Sequence, residues 1–194
     1  MAKRGRPTAD EREGRRDRIL DGAVQAFAAH GFGSAGLDEI AAAAGVTKRT
    51  IYVDIGDKAA LFAAAVEREH DRLRASAADA GSLIDVATEI VVVLHSDRAV
   101  ALHRAVIAEA PRFPELAARF YAAGPGHSIR LLQGAMRAEG GGIGDARDRA
   151  AALYSLLLGE AHRRRLLALD PAPSRRAAAA HAEGALRLLA SAAG

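Results

Sequence analysis

The stretch LDEIAAAAGVTKRTIYVDI, residues 37–55, decides the fold of the N-terminal part of the chain. Its first half repeats apolar residues at helical spacing, with Leu37 and Ile40 on the inward side. Gly45 interrupts this pattern, as a tight turn with a positive φ requires, and Thr47 can cap a second short helix. The stretch therefore predicts two short helices joined by a tight turn, the arrangement of a helix-turn-helix.

The second helix of this pair has a polar side that suits DNA. If Ile51 faces the core, the exposed side carries Lys48, Arg49, Thr50, Tyr52 and Val53. Cationic and hydroxyl side chains at the start of a helix suit base edges and phosphates. An ordinary helical hairpin with a solvated charged face is the alternative that the pattern leaves open.

The rest of the chain also favours helices. Half of the 194 residues are apolar, only 4% are aromatic, and alanine and leucine, both strong helix formers, are abundant. Breaks rich in glycine, proline or serine separate the helical patterns. We expect an all-α chain, with an N-terminal three-helix helix-turn-helix domain and a C-terminal helical bundle. Beyond residues 37–55, the expected helices lie at about 8–30, 57–79, 83–95, 97–109, 114–123, 127–139, 145–169 and 174–192.

Composition excludes several classes of protein. The sequence has no cysteine, which excludes disulfides, thiolate metal sites and a cysteine nucleophile. No run of about 18 uncharged apolar residues occurs, so we expect no membrane span. Charged residues follow the basic start at 1–7, so we expect no signal peptide and a cytoplasmic protein. The net charge of +3 does not by itself indicate nucleic-acid binding.

The basic segment Arg4-Gly5-Arg6-Pro7 resembles the core of an AT-hook. A-tracts narrow the minor groove and deepen its negative potential, which attracts inserted arginine side chains. We therefore expect Arg4 and Arg6, with Lys3, to add DNA affinity more than sequence selectivity. A solvated terminus without a role in binding is the alternative.

Three motifs resemble the N-terminal DNA-binding domain of the tetracycline-repressor (TetR) family in order, spacing and position. They are Phe27-(x)3-Gly31-Phe32, the stretch 37–52, and Gly56-Asp57-Lys58-(x)2-Leu61-Phe62, and the resemblance covers roughly residues 15–65. It implies that Thr47, Lys48 and Thr50 face DNA and that Tyr52 reaches a phosphate. It also implies that Lys58, at the start of the fourth helix, holds a phosphate with help from backbone N–H groups.

The sequence departs from the family pattern at Asp54 and Ile55, where His or Tyr followed by Phe is usual. Ile55 keeps an apolar plug, whereas a carboxylate near a phosphate is repelled. Three explanations of Asp54 are open: it accepts from a cytosine amino group, it pairs with Arg49 or Lys58, or the site loses some affinity. We favour pairing, because both cations lie within helical reach.

The region after residue 81 resembles the regulatory domain of an AefR-like subgroup of the family, most clearly over 97–123. We expect a pocket between its helices, lined mainly by apolar side chains, for a small apolar or amphipathic ligand. Residues of this kind are more often plain core than ligand contacts. The candidate pocket residues are Leu94, Leu102, Val106, Phe113, Phe120, Tyr121, Leu132, Met136 and Leu156. Glu109 and Arg112 are expected to form a structural ion pair.

The last two expected helices place small residues beside leucines, which allows close helix packing. In the family the matching helices of two subunits form a four-helix interface, and a twofold dimer places the same patch against itself. The implied interface residues are Leu153, Leu157, Ala161, Ala182, Leu186 and Leu189. Burial within a single chain is the alternative.

Motifs for an enzyme or a metal site are missing from the sequence. His95, His103, His127 and His162 are scattered without metal-ligand spacing, and neither a nucleophile elbow nor a phosphate loop occurs. We therefore expect no catalytic residue, no metal and no cofactor.

The leading hypothesis is a ligand-responsive transcriptional repressor that binds a palindromic double-stranded DNA operator as a homodimer. Residues 1–56 would form the arm and the DNA-binding domain, 57–80 a connecting helix, and 81–194 the ligand-binding and dimerisation domain. A nonspecific architectural DNA-binding protein is the second hypothesis. A small-molecule-binding or catalytic helical protein is the third.

Overall fold

Ten helices make up the regular structure of residues 8–78, 81–140 and 146–191, the part of the chain that the computed structural model describes. They are α1 (Ala9–Ser34), α2 (Leu37–Ala43), α3 (Lys48–Asp54), α4 (Lys58–Ala78), α5 (Leu83–Leu94), α6 (Asp97–Glu109), α7 (Pro114–Ala123), α8 (Pro125–Ala138), α9 (Ala146–Leu166) and α10 (Arg175–Ser191). All regular secondary structure in these ranges is helical, which confirms the all-α prediction. None of the described helices is long and apolar enough to cross a membrane.

The first helix begins after Thr8 and changes direction at Gly31, as the sequence predicts. Thr8 and Glu11 form a reciprocal capping box, in which each side chain accepts a hydrogen bond from the backbone N–H of the other residue. Gly31 has a φ of 72° and a ψ of 169°, a backbone conformation that is essentially restricted to glycine. The change of direction brings Phe32 back against Phe27, with ring centroids 5.8 Å apart.

An aromatic cluster joins the N-terminal domain to the bundle. Phe62 of α4 packs on Phe27 and Phe32, with ring centroids 5.0 and 5.5 Å apart, and Phe113 packs on Phe32 at 5.3 Å. Buried residues of α6 and α7 belong to the same apolar core as those of α1 to α4. One continuous core therefore crosses the domain boundary expected near residue 80.

The helix-turn-helix forms as predicted. Gly45 has a φ of 66°, in the region that favours glycine, and it separates α2 from α3. Thr47 caps α3, because its hydroxyl oxygen accepts from the N–H of Thr50 at 3.1 Å. Ile51 is fully buried, so the opposite side of α3 faces outward.

A second apolar core holds the C-terminal helices together. It consists of residues from α5, α8, α9 and α10, including the fully buried Ile90, Leu132, Leu153 and Leu157. Small residues of α10 such as Ala178 and Ala182 are buried against these larger side chains, so the last helix lies close to its neighbours.

Two of the later helices differ in detail from the expectation. The eighth begins at Pro125 rather than near residue 127, because the fixed φ of proline suits the first helical position. The ninth ends at Leu166 rather than near residue 169. It is also interrupted at Gly159, which has a φ of 46° and a ψ of −146°. This glycine therefore changes the direction of α9 within its length.

Gly31→Ala and Gly14→Ala are expected to change stability in opposite directions. Alanine at position 31 is strained, so it lowers the free energy of unfolding by about 1–3 kcal/mol. Gly14 lies inside α1, where a Cβ would meet nothing within 4 Å, so alanine there raises this free energy by about 0.5–1 kcal/mol. Urea unfolding followed by circular dichroism measures both changes. A Gly31→Ala variant with an unchanged or higher free energy of unfolding would contradict the role given to Gly31.

Candidate nucleic-acid interface and buried cavity

The outward side of α3 forms a candidate DNA-binding surface. Tyr52 and Val53 are 51% and 73% exposed, and Lys48 and Arg49 are exposed beside them. Behind them the fully buried Ile51 anchors the helix in the core. The helix thus presents two cations, a phenol and an apolar side chain on a rigid support. That set of groups suits contacts with base edges and phosphates.

Contacts within the domain orient the first turn of α3. The hydroxyl oxygens of Thr47 and Thr50 are 2.8 Å apart, and Lys48 Nζ lies 3.0 Å from Asp38 Oδ2 of α2. The hydrogen bond to Asp38 raises the pKa of Lys48 above its ordinary value. Asp38 therefore orients the Lys48 side chain in the absence of DNA. A hydrogen-bond acceptor of DNA must share the Lys48 ammonium group with the exposed Asp38 carboxylate.

Asp54, at the end of α3, is paired with an arginine of α1. Its Oδ2 accepts from Arg15 Nε at 2.8 Å, and its backbone carbonyl accepts from Arg16 Nη1 at 3.1 Å. The expectation of a partner at Arg49 or Lys58 is therefore wrong, because the partner comes from a helix 39 residues earlier in the chain. The Arg15 guanidinium compensates the carboxylate on a surface that would otherwise repel phosphate.

Lys58, the expected phosphate ligand at the start of α4, is engaged within the chain. Its Nζ donates to the carbonyl of Gly33 at 2.8 Å and lies 5.2 Å from the centroid of the Phe32 ring. Partial burial lowers the pKa of Lys58, and the charge of Glu109 opposes that shift. A phosphate would therefore have to share Lys58 with Gly33 or take its place.

Glu109, at the end of α6, also contacts Gly33, the residue that binds Lys58. Its Oε1 accepts from the N–H of Gly33 at 2.9 Å, and a Cβ at position 33 would lie only 2.6 Å from that oxygen. The expectation that Glu109 pairs with Arg112 is wrong, because Arg112 instead lies 5.6 Å from the centroid of the Phe113 ring. The end of α6 is thus hydrogen-bonded to Gly33 near the end of α1, the residue that also binds Lys58.

The sequence reasoning missed the arginines near the start of α1. Arg15 and Arg16 both contact the end of α3 and so support the candidate DNA-binding surface. The available signal was a cluster of arginines at helical spacing over residues 12–18. The expected arm residues Arg4 and Arg6 lie outside the described residues.

A small cavity lies inside the bundle, between α4 and the helices from α5 to α9. Its volume is about 30 Å³, room for one or two water molecules. Its wall is mainly apolar, with polar groups only from two histidines and a tyrosine. The lining residues are Val66, Val93, Leu94, Ala99, Leu102, His103, Phe120, Pro125, Tyr154, Leu158 and His162. A ligand of ordinary size must therefore widen this cavity to enter it.

The pocket residues expected from the sequence are divided between this cavity and other places. Those at the cavity wall are Leu94, Leu102 and Phe120. Those packed in one of the two apolar cores are Val106, Phe113, Leu132, Met136 and Leu156. Tyr121 is 60% exposed. Helical periodicity marks inward side chains, but it does not indicate which of them border an empty space.

Histidines distant in sequence meet beside the cavity. His103 Nδ1 lies 3.0 Å from His162 Nε2, and the ring centroids of His162 and His95 are 5.0 Å apart. The Nε2 atoms of His95 and His181 both contact the carbonyl oxygen of Leu157, at 3.1 and 2.8 Å. Three of the four histidines that are scattered in the sequence therefore lie close together in space, because the fold brings α5, α6 and α9 together.

Burial keeps the imidazoles of His95, His103 and His162 uncharged at neutral pH. It lowers the pKa of His162 to about 3 and that of His95 to about 4, and it also lowers the pKa of His103. Nearby imidazoles and Arg165 lower the pKa of His95 and His162 further. Among the residues that the structure describes, no group of three or more acidic or histidine side chains is placed to hold a metal ion.

The expected dimer residues differ in their burial. Those fully buried within the chain are Leu153, Leu157 and Ala182. They form the intramolecular core and offer no surface to a partner, which corrects the expectation for these three. Those that are half-buried are Ala161, Leu186 and Leu189. Leu188, which lies between Leu186 and Leu189 in the sequence of α10, is 60% exposed.

Two family descriptions match the chain. Residues 19–65 match the family described as "Bacterial regulatory proteins, tetR family". Residues 81–192, more than half of the chain, match the family described as "AefR-like transcriptional repressor, C-terminal domain". The first match contains the helix-turn-helix, and the second contains α5 to α10.

Individual relatives agree with these matches. A helix-turn-helix-type transcriptional repressor of Streptomyces coelicolor is 41% identical over 61 residues, which are 31% of this chain and 32% of that protein. The structure of the flavonoid-responsive regulator FrrA is 30% identical, with 92% of this chain and 96% of that chain covered and a TM-score of 0.70. A TetR-family regulator from Mesorhizobium loti, 23% identical, has a TM-score of 0.78 with 96% and 98% of the two chains covered, and shows the fold alone.

Asp54→Asn and Arg15→Gln are expected to be energetically coupled. The two side chains are only 21% and 23% exposed, so each substitution lowers the free energy of unfolding by about 1 kcal/mol, and the double variant loses less than the sum. The exposed pair Asp38 and Lys48 is the matched control, for which we expect a smaller coupling. Denaturant unfolding of the single and double variants measures both couplings. Strictly additive losses at Asp54 and Arg15 would show that this pair contributes nothing.

Proposed function

The chain belongs to the TetR family of transcriptional regulators, and from that premise we propose that it is a repressor that binds a palindromic operator as a homodimer and leaves it when a small ligand binds. Proteins of this family are DNA-binding regulators and not enzymes. The observation that carries the proposal is the exposed side of α3. There Lys48, Arg49 and Tyr52 stand on a helix that the buried Ile51 anchors.

In the proposed complex α3 enters the major groove. Arg49 and Thr50 face base edges, while Tyr52 and Lys58 hold phosphates on the flanking backbone. Arg49 is suited to reading bases, since in the described part of the chain it is not paired with a carboxylate as Lys48 is. Residues that contact phosphate fix the position of α3, and residues that contact bases select the sequence.

The dimer is proposed to form through the outward sides of α9 and α10. Leu188 is 60% exposed there, and the exposed small residues Ala152, Ser155 and Ala180 let a second pair of helices approach closely. The same patch on a second copy completes a twofold, four-helix contact. Such a dimer would hold its two α3 helices about one DNA turn apart, roughly 34–36 Å.

Release by the ligand is proposed to proceed through α6. This helix carries His103 at the cavity wall and Glu109 at its end, where the Glu109 carboxylate holds the Gly33 N–H. Arg98 of the same helix donates to an aspartate of α1 at 2.8 Å. We infer that a ligand that widens the cavity moves α6 together with α1, whose Gly33 holds Lys58.

The ligand is proposed to be a small, largely apolar molecule. The cavity wall is mainly apolar, and the relative FrrA is named for its response to flavonoids, which supports a small organic ligand for this chain. A ligand that favours the state without DNA by about 2–3 kcal/mol lowers operator affinity about 30- to 150-fold.

Selection from a pool of random DNA sequences tests the proposed function. We expect an imperfect palindrome, bound by two copies of the chain about a thousandfold more tightly than random DNA. Light scattering of the free protein should report a dimer. Binding without sequence preference would instead indicate an architectural DNA-binding protein, and a monomer that binds a single half-site tightly would contradict the dimer.

Lys58→Gln is expected to weaken binding to the selected operator and to random DNA alike. Each lost phosphate contact also makes the slope of log affinity against log salt shallower by about 0.9. Arg137→Gln is the matched control, because Arg137 is an exposed cation in the last turn of α8, outside both the DNA-binding domain and the proposed dimer surface. An unchanged slope for Lys58→Gln would mean that Lys58 stays on Gly33 in the complex.

A further inference from the structure

One histidine of the mainly apolar cavity wall carries a buried polar atom for which the described residues offer no partner. His162 lines the cavity and is 5% exposed, and its Nε2 lies 3.0 Å from His103 Nδ1. Its other ring nitrogen, Nδ1, is buried, and within the described residues it has no hydrogen-bond partner. A buried polar atom without a partner costs free energy, which a ligand group can recover if the ligand widens the cavity as far as this atom.

The histidine pair can present either a lone pair or a proton at His162 Nδ1. A neutral imidazole has one donor and one acceptor nitrogen. If His162 donates to His103, its Nδ1 is an acceptor. If His103 donates instead, His162 Nδ1 carries the proton and is a donor. A hydroxyl group complements both arrangements, because it donates and accepts.

The charges around the cavity favour an uncharged ligand. None of the described residues at the cavity wall is an acid, a lysine or an arginine, and burial lowers the pKa of both His103 and His162. Arg165 lies close enough to lower the pKa of His162, but its guanidinium already binds the His95 carbonyl and the Asp97 carboxylate. A ligand carboxylate would therefore be buried without a free cation to compensate it.

The apolar part of the wall suits an aromatic ring. The rings of His103 and Phe120 have centroids 5.2 Å apart and an angle of 30° between their planes. Tyr154 contributes a third ring to the wall. Aromatic rings pack well on such surfaces in offset or edge-on arrangements. A flat ring also requires less widening of a cavity of about 30 Å³ than a bulkier apolar group.

We propose that the cavity binds an uncharged aromatic ligand that carries a hydroxyl group, with the hydroxyl bonded to His162 Nδ1 and the ring packed against His103 and Phe120. This inference rests on the proposed function for the location of the ligand site. It adds the chemical class of the ligand and names His162 as the residue that selects it.

Three probes that share one ring system test the inference: naphthalene, naphthol and naphthoate, substituted at the same ring position. Calorimetric titration of the full chain at neutral pH gives their affinities. We expect naphthol to bind about tenfold more tightly than naphthalene, because only naphthol gives His162 Nδ1 a partner. Naphthoate should bind more weakly than either, because its charge is not compensated.

Substitution of the selecting histidine gives a second comparison. The substitution His162→Phe keeps an aromatic ring at this position but removes both ring nitrogens. The affinity for naphthol should then exceed that for naphthalene by no more than about twofold. His30→Phe, at an exposed histidine of α1, should keep the preference. If His162→Phe does not fold, nitrogen-15 spectra of the histidines in the unchanged protein replace it. Naphthol should then shift the Nδ1 resonance of one buried histidine, and naphthalene should not.

Each contrary result overturns a stated part of the inference. Equal affinity for naphthol and naphthalene overturns the hydroxyl contact, and tightest binding of naphthoate overturns the uncharged class. Absence of binding by all three probes overturns the assignment of this cavity to an aromatic ligand. Selection of an operator by the same preparation reports separately on the proposed function, so the two failures are distinguishable.

Discussion

The backbone of Gly33 is bonded from two sides, and the proposed coupling of the two domains depends on this residue. Its carbonyl accepts from Lys58 at 2.8 Å, and its N–H donates to Glu109 at 2.9 Å. A Cβ at position 33 would lie 2.6 Å from a Glu109 carboxylate oxygen, so the end of the Glu109 side chain would have to shift if this position carried a side chain. A candidate phosphate ligand and the end of a cavity helix thereby share one residue. Because the same apolar core joins α1, α4 and α6, we expect a displacement of α6 to shift the helices packed against it.

Features that depend on a few neighbouring residues were predictable from the sequence. Gly31 and Gly45 both have a positive φ, and both stand where an apolar helical pattern stops. Thr47 caps α3 because its hydroxyl reaches an N–H three residues later, which local spacing alone decides. The exposed side of α3 was predictable for the same reason, since burial of Ile51 determines which side chains face outward.

Contacts between distant segments were not predictable from local patterns. Arg15 and Asp54 are 39 residues apart, whereas helical spacing suggests only partners three or four residues away. The histidine pair beside the cavity joins residues 59 positions apart, so the scattered spacing in the sequence concealed it. Apolar periodicity marked Leu153 as inward-facing, but it did not distinguish the core of its own chain from an interface with a second copy.

A double-mutant cycle along α6 measures the coupling between cavity and DNA without any ligand. Ala99→Phe places a ring in the cavity of about 30 Å³ and so imitates a bound ligand, while Glu109→Ala removes the bond to Gly33. Ala99→Phe should lower operator affinity about tenfold or more in the otherwise unchanged protein, and by no more than about threefold when Glu109→Ala is also present. Thermal unfolding of each variant checks that it is folded at the assay temperature. An equal loss in both backgrounds would contradict this mechanism, because the signal would then reach DNA without the bond between Glu109 and Gly33.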